Sequence, residues 1–276
     1  MDPQLPKPAE VGAFYDQYTR LFEILWGDSL HFGYWPSGSP LDSIEAGQER
    51  LTQLMIEKAG VERTHDILDV GCGTGRASLS LAITTGCRVT GVNVSAQQVA
   101  SANARARGHD AGARVEFQIA DAMAMPFPDA QFDGAWAFES LLHMPSLPGA
   151  LREVARVLKP GARFVISDVV SLKPLPAEDE AYYRQVFPVA PLVSKTSYAD
   201  YLRGAGFEVD EVLDITDSVE RTLTLTLQNI DSNRSVIQGA YGEGFDAIVQ
   251  SSWGKGIDIH LRSLGYCVFV AHTPAR

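Results

Sequence analysis

Cysteine is scarce in this chain, and its placement supports neither a disulfide framework nor a metal site. The 276 residues include three cysteines, Cys72, Cys87 and Cys267, and no CxxC pair. Disulfide-rich domains and zinc sites need closely spaced cysteines or histidines. We therefore expect reduced thiols and no bound metal. A chain of this length can bury a core of its own, and it suits one large domain with appended segments.

Long apolar runs and excess positive charge are also missing. No stretch approaches the roughly 18 apolar residues of a membrane span, and the opening MDPQLPKPAE lacks the basic and apolar regions of a secretory leader. These absences predict a cytoplasmic protein without a membrane partner. The 23 basic and 34 acidic side chains give a net charge of -11, which would repel nucleic-acid phosphates, so we expect no nucleic-acid partner.

From residue 66 onward, short β-branched runs alternate with longer stretches of helical period. This alternation is typical of an α/β fold, in which a doubly wound and mostly parallel sheet carries helices on both faces. Helices are predicted over 97–108 and 147–158, the latter ending at a Lys-Pro-Gly sequence. The seven predicted strands are 66–70, 88–92, 115–119, 132–137, 163–168, 207–215 and 266–271.

Two kinds of segment fall outside this alternation. Residues 1–60 contain two pieces with helical apolar spacing, joined by the aromatic and turn-rich HFGYWPSGSP, and we expect them to form a lid. Residues 61–276 would form the main domain, with cap insertions at about 170–200 and 228–256. The first insertion is rich in proline and aromatic residues and has no clear period, as in segments that cover a site.

One motif carries most of the chemical information. In ILDVGCGTG, Asp69 lies near the end of the first predicted strand, and Gly71, Gly73 and Gly75 follow with GxGxG spacing before a helix. Glycines allow a ligand to approach the backbone closely, and this spacing is tighter than the GxGxxG of dinucleotide sites. The motif favours a nucleoside ligand without phosphate over a turn that merely connects strand and helix.

At these residues the sequence resembles the class I methyltransferases that use S-adenosylmethionine, in the branch of sugar and macrolide O-methyltransferases. The resemblance runs from about residue 14 to the C-terminus and implies a Rossmann-like fold. It also implies that S-adenosylmethionine or S-adenosylhomocysteine binds, with Asp69, Gly71 and Gly73 facing the methionine end.

The resemblance extends to the ends of the next strands. Asn93 stands where many family members have an acidic residue that binds the ribose, and Ser95 and Gln98 could share that role. A turn residue after a strand remains the alternative for Asn93.

An adenine site is implied by the third and fourth matching pieces. Asp121 would accept a hydrogen bond from the adenine amino group, Ala122 and Met123 would lie beside the ring, and Phe138 would end the fourth strand at the cofactor. Core packing is the alternative for Met123 and Phe138.

The aromatic N-terminal segment resembles the lid of natural-product methyltransferases. Tyr15, His31, Gly33 and Trp35 would close over the methyl donor, where aromatic faces stabilise a cation and a closed lid excludes water. The alternative is that this cluster only packs the first helices on the sheet.

Methyl transfer to oxygen needs a base, and His143 and Asp168 are the candidates because both follow strands that end at the same sheet edge. Related sugar O-methyltransferases carry two histidines in this motif, and the first position is Leu142 here. A structural role for His143 therefore stays open.

Two functions remain open from the sequence. The first is methylation of an oxygen in a hydrophobic natural product, such as a polyketide, macrolide or glycoside. The second follows from a resemblance to the methyltransferase-like cyclase of the spinosyn pathway, which implies a transannular [4+2] cycloaddition with the cofactor as scaffold. Glu139 follows the fourth strand at the substrate side, and Thr196, Tyr198 or Trp253 could polarise a carbonyl of the substrate in a cycloaddition. Helix capping or packing is the alternative for each of these three residues. The assembly, monomer or homodimer, is left open.

Overall fold

The computed structural model describes residues 5–275 of the chain. Residues 1–4 and residue 276 lie outside this range. Residues 1–4 are part of the predicted lid and of the N-terminal sequence that was predicted not to be a secretory leader. The helices are α1 (Pro8–Trp26), α2 (Ile44–Ala59), α3 (Arg76–Thr85), α4 (Ala96–Arg107), α5 (Leu147–Val157), α6 (Ala177–Val186), α7 (Lys195–Gly204), α8 (Thr216–Ser232), α9 (Arg234–Tyr241) and α10 (Phe245–Ser263). The strands are β1 (Asp66–Val70), β2 (Arg88–Asn93), β3 (Val115–Ile119), β4 (Phe132–Phe138), β5 (Leu158–Ser171), β6 (Glu208–Asp214) and β7 (Leu264–His272).

All seven strands form one sheet in the order β3-β2-β1-β4-β5-β7-β6. The first five are parallel, and β7 runs antiparallel to both β5 and β6. The predicted doubly wound, mostly parallel sheet is therefore confirmed. The strand order reverses at β1, which pairs with β2 on one side and with β4 on the other, and this switch point is where open α/β sheets bind ligands.

Burial explains why these strands form. The sheet separates two hydrophobic cores, one containing Leu51, Met55 and Trp136 and the other containing Leu151, Val154 and Phe164. Helices cover both faces, so the central strands are apolar on both sides, as parallel sheets require. Among the described residues, no helix has the length and apolarity needed to span a membrane.

The predicted boundaries differ most around β5 and the cap. β5 extends to 14 residues instead of the predicted 163–168. At its start Leu158 pairs with Phe132 of β4, and at its end antiparallel pairing with β7 continues through Ser171. The insertion at about 170–200 is partly helical, since α6 and the start of α7 lie within it. Its period was hard to detect because only one residue of α6, Asp179, is buried, and it is polar. The division into a lid and a main domain stays a prediction.

Candidate active site

The turn after β1 brings the backbone to the switch point. Gly71, Gly73 and Gly75 all adopt positive φ angles, of 80°, 53° and 76°. A Cβ on Gly71 would overlap the Ser140 side chain, and one on Gly75 would lie 2.7 Å from Phe117, so neither position accepts a larger residue without rearrangement. A Cβ on Gly73 would meet no atom within 4 Å. This turn therefore leaves open space in front of its middle glycine.

That space belongs to a first cavity at the carboxyl ends of β1, β2 and β4. Several residues that the sequence singled out line it: Tyr15, His31, Asp69, Gly71, Gly73, Asn93, Gln98, Ala122, Phe138, Glu139 and His143. They come from six separate stretches of the chain, and the strand order brings them together. Polar groups that can bind a ligand lie on this wall, among them the carboxyl group of Asp69 and the amides of Asn93 and Gln98.

Asp69 lies at the glycine end of the first cavity and is only 2% exposed. Burial raises the pKa of its carboxyl group to about 6, and the hydrogen bond from the Ser78 hydroxyl opposes that rise. The buried carboxylate is held by α3, so it keeps a fixed position on the cavity wall.

Asn93 and Gln98 form a linked pair on the same wall. Asn93 Nδ2 donates to Gln98 Oε1 at 2.7 Å, and Gln98 Nε2 donates to Thr19 Oγ1 at 3.0 Å. Ser95 is not on the wall, contrary to the predicted ribose contact. Its hydroxyl caps α4 by accepting from Gln98 N at 3.0 Å, and it donates to Asp16 Oδ1 at 2.5 Å.

Asp121 lies beside the first cavity rather than in its wall. Its Oδ1 accepts from Met123 N at 2.9 Å, while Ala120 and Ala122 on either side line the cavity. Met123 is also absent from the wall, since its methyl group packs near Gly149. The packing alternative for Met123 is therefore the one that fits the structure.

The predicted lid residues divide into two pairs. Tyr15 and His31 line the first cavity, and the His31 ring lies 4.8 Å from the Phe138 ring, centre to centre. Gly33 and Trp35 do not reach it, which corrects the expectation that they close over the donor. The Trp35 ring packs on Gly33, where a Cβ would come within 2.5 Å of it, and its Nε1 donates to Asp42 Oδ1 at 2.9 Å.

His143 occupies the short 3-10 turn after β4. Its Nδ1 lies 2.8 Å from the carbonyl oxygen of Pro188, and its Nε2 lies 2.8 Å from the Tyr15 hydroxyl. Burial lowers the pKa of the imidazole to about 4, so the ring is neutral at pH 7. Because a carbonyl oxygen can only accept, the proton is on Nδ1 and Nε2 accepts from Tyr15.

Asp168 does not join His143, which corrects its assignment as a base. It is 0% exposed and lines neither this cavity nor the second one described below. Its carboxylate accepts from Tyr198 Oη at 3.1 Å and from Val169 N at 2.9 Å. Burial raises the pKa of this carboxyl group to about 7. Tyr198, a candidate substrate contact, is buried in this pair and is also absent from both cavities.

A second cavity adjoins the first one. Most of its wall is apolar: Phe22, Trp26, Leu30, Phe32, Leu142, Val169, Phe187, Val189, Leu192, Leu223, Trp253 and Ile257. Trp253 lines this cavity, whereas Thr196 is exposed on α7 and lines neither of the two cavities. Tyr15, Leu30, Glu139 and His143 line both cavities, so these residues form the boundary between them.

Glu139 is the acidic group at this boundary. Its φ angle is 46°, a strained value for a residue with a side chain, and it follows β4 directly. Its Oε1 accepts from Phe32 N and from Tyr266 Oη, both at 2.6 Å. Burial raises the pKa of the carboxyl group to about 8, while these hydrogen bonds oppose the rise.

His260 lines the second cavity together with Tyr183, although the sequence analysis did not select it as a site residue. A helical spacing could have revealed it. Trp253, Gly256, Ile257 and His260 follow at i, i+3, i+4 and i+7 along α10, and all four line this cavity.

Comparison with known proteins agrees with this geometry. A methyltransferase domain family matches residues 68–166. The (+)-O-methylkolavelool synthase of Herpetosiphon aurantiacus is 35% identical over 98% of this chain and 95% of its own length. The 27-O-demethylrifamycin SV methyltransferase of Amycolatopsis mediterranei is 37% identical over 83% of this chain and 85% of its own. The crystal structure of the [4+2]-cyclase SpnF matches with a TM-score of 0.85 and 30% identity, covering 99% of both chains. The chain therefore belongs to the class I S-adenosylmethionine-dependent methyltransferase family.

Proposed function

We propose that this protein transfers the methyl group of S-adenosylmethionine to a hydroxyl oxygen of a hydrophobic natural product. The observation that carries this proposal is the Tyr15–His143 pair, which lines both cavities. A base at such a boundary can reach a proton on a molecule in the second cavity while the first cavity holds the methyl donor.

The first cavity has the chemistry that this cofactor requires. Asp69 and the peptide groups at Gly71 and Gly73 would hold the methionine end, since Gly73 leaves room for close approach to the backbone. Asn93 and Gln98 would share the ribose hydroxyls. Ala122 would contact the adenine, with Asp121 beside it. The bound cofactor supplies a methyl group already activated by a sulfonium.

The protein's own residues then align the acceptor and remove its proton. Tyr15 Oη would accept the hydroxyl proton of the acceptor, and the Tyr15 proton would pass to His143 Nε2. With the methyl group supplied by the bound cofactor, the acceptor would leave as a methyl ether, the cofactor would leave demethylated, and the proton would remain on His143 as an imidazolium. An oxygen that is forming a third bond is strongly acidic, and a neutral imidazole with a pKa of about 4 is therefore basic enough.

Glu139 supports the same step by its charge. Its carboxyl group lies in both walls, and a cationic sulfonium nearby would favour the ionised form. An ionised Glu139 would attract the donor and offset the positive charge that develops on His143.

The substrate class follows from the second cavity and from the relatives. Its wall is mostly aliphatic and aromatic, which suits an apolar molecule such as a polyketide, macrolide or glycoside. Two relatives have O-methylation in their names, the (+)-O-methylkolavelool synthase and the 27-O-demethylrifamycin SV methyltransferase. A cytoplasmic location and a monomeric or homodimeric state stay predictions.

A cyclase function is the second candidate, favoured by the likeness to SpnF over the full length of both chains. Such a reaction needs a shaped cavity and a group that polarises a carbonyl, but no base. Of the three residues suggested for polarising a carbonyl, Thr196 and Tyr198 line neither cavity, and Trp253 lines the second one. The buried and neutral His143, with its lone pair toward Tyr15, favours methyl transfer.

Mass spectrometry separates the two functions. The purified protein is incubated with S-adenosylmethionine and hydrophobic alcohols, including macrolide aglycones and linear polyketide trienes. A product heavier by one methylene, formed together with S-adenosylhomocysteine, supports transfer. A product of unchanged mass with no consumption of the cofactor would instead show cyclisation and overturn the proposal.

A further inference from the structure

The second cavity contains a polar pair that the proposed reaction does not use. His260 on α10 and Tyr183 on α6 both line this cavity, and neither lines the first cavity. His260 is 5% exposed, and its ring packs 5.4 Å from the Phe32 ring, centre to centre. Two polar side chains thus stand in a wall that is otherwise mostly apolar.

This pair is poorly satisfied by the protein. Tyr183 Oη lies 3.5 Å from His260 Nδ1, at the outer limit for a hydrogen bond. Across residues 5–275, Nε2 of His260 has no hydrogen-bond partner. Buried polar groups are usually hydrogen-bonded, so a weak bond and an unpaired nitrogen on a cavity wall indicate a ligand that completes them.

The protonation states of His260 and Tyr183 indicate which ligand groups this pair can bind. Burial lowers the pKa of His260 to about 4, and burial raises the pKa of Tyr183, so both groups are neutral at pH 7. If Tyr183 donates to Nδ1, the Nε2–H remains as a donor and the phenol oxygen as an acceptor. If Nδ1–H donates instead, the phenol hydrogen and Nε2 remain. Either tautomer leaves one donor and one acceptor for a ligand.

We infer that Tyr183 and His260 form a second substrate-anchoring site, which binds a neutral oxygen function of the acceptor molecule at a position other than the one methylated. A hydroxyl would use both the donor and the acceptor, and a carbonyl would use the donor. A carboxylate is disfavoured, because the pair carries no positive charge to compensate its desolvation. The inference rests on the proposed function, since it specifies an apolar acceptor with two oxygen functions.

Binding can be tested without methyl transfer. Medium-chain α,ω-alkanediols are compared with 1-alkanols of the same carbon number, in the presence of saturating S-adenosylhomocysteine. Fluorescence of Trp26 and Trp253, which line the second cavity, reports binding. We expect the best diol to bind about three- to tenfold more tightly than its alkanol, the gain from one or two hydrogen bonds, although the diol is less hydrophobic.

Variants assign the gain to this pair. The preference for the diol should disappear in Tyr183→Phe, which removes one hydroxyl, and in His260→Phe. It should remain in the control Tyr182→Phe, because Tyr182 donates to Ser252 O at 3.3 Å and does not line the cavity. No diol preference in the wild type, or a preference that survives in Tyr183→Phe, would overturn the inference. Since this readout needs no product, failure of the proposed function would appear separately, as a lack of methylated product.

Discussion

Replacement of His143 tests the proposed chemistry directly. In His143→Gln, the new amide would keep a donor for the carbonyl of Pro188 and an acceptor for Tyr15, the two partners that His143 contacts at 2.8 Å, but it could not accept a proton. General bases contribute about 10²- to 10⁴-fold to rate. We therefore expect kcat of His143→Gln to fall by about that factor, or about 3–5 kcal/mol in the barrier, with little change in KM.

The assay is the initial rate of S-adenosylhomocysteine formation with an acceptor found by mass spectrometry. Tyr15→Phe keeps the aromatic packing with Phe14 and Phe22 but removes the proton relay, so it should lose a similar factor. The double variant should be no slower than the worse single variant, because the two groups act as a unit. His65→Gln, outside both cavities, is the control.

The pH profile provides a second readout of the same residue. Because the pKa of His143 is lowered to about 4, its neutral form prevails well below the pKa of a free imidazole. No acid limb from this residue is expected between about pH 5.5 and 8. A kcat for His143→Gln within about threefold of the wild type, with normal thermal unfolding, would refute the assignment of His143 as the base.

Three further perturbations test other parts of the site. Glu139 ionises near pH 8, so calorimetry should show the preference for S-adenosylmethionine over S-adenosylhomocysteine growing with rising pH, by up to about tenfold, in the wild type but not in Glu139→Gln. Gly73→Ala and the control Gly38→Ala replace glycines at φ 53° and 84° that have no atom within 4 Å of the new Cβ. Both variants should lose about 1–2 kcal/mol of stability in urea unfolding, but only Gly73→Ala should weaken cofactor binding. Equal cofactor affinities of the two variants would contradict a role of the glycine turn in binding. The pKa of Asp168 is raised to about 7, so its contribution to stability is complete below about pH 4 and lost as pH rises through 7. In urea unfolding, the free energy of unfolding should therefore fall between pH 4 and pH 7 by about 2–4 kcal/mol less in Asp168→Asn than in the wild type. An equal fall in both proteins would contradict the raised pKa of Asp168.

Local features of the site were readable from the sequence. The strand before Asp69 and the three glycines after it define a sharp turn by themselves, and the structure has positive φ angles at all three glycines. The alternation of strands and helices likewise predicted the seven-stranded sheet, because its signals lie within short windows of sequence.

Side-chain direction at strand ends was not readable in the same way. Along β5, neighbouring residues point to opposite faces, so Val169 lines the second cavity while Asp168 turns toward Tyr198. Because Asp168 precedes Val169 by one residue, its carboxyl group faces away from the second cavity. Contacts between distant segments were equally hidden, as with Tyr15 and His143, which are 128 residues apart.

The most direct test of the central claim is calorimetric titration of the wild-type protein with S-adenosylhomocysteine, repeated with Gly73→Ala. We predict one binding site per chain in the wild type and clearly weaker binding in the variant, because the new methyl group would occupy the space in front of the glycine turn. Absence of binding heat in the wild type across a range of temperatures would contradict the account.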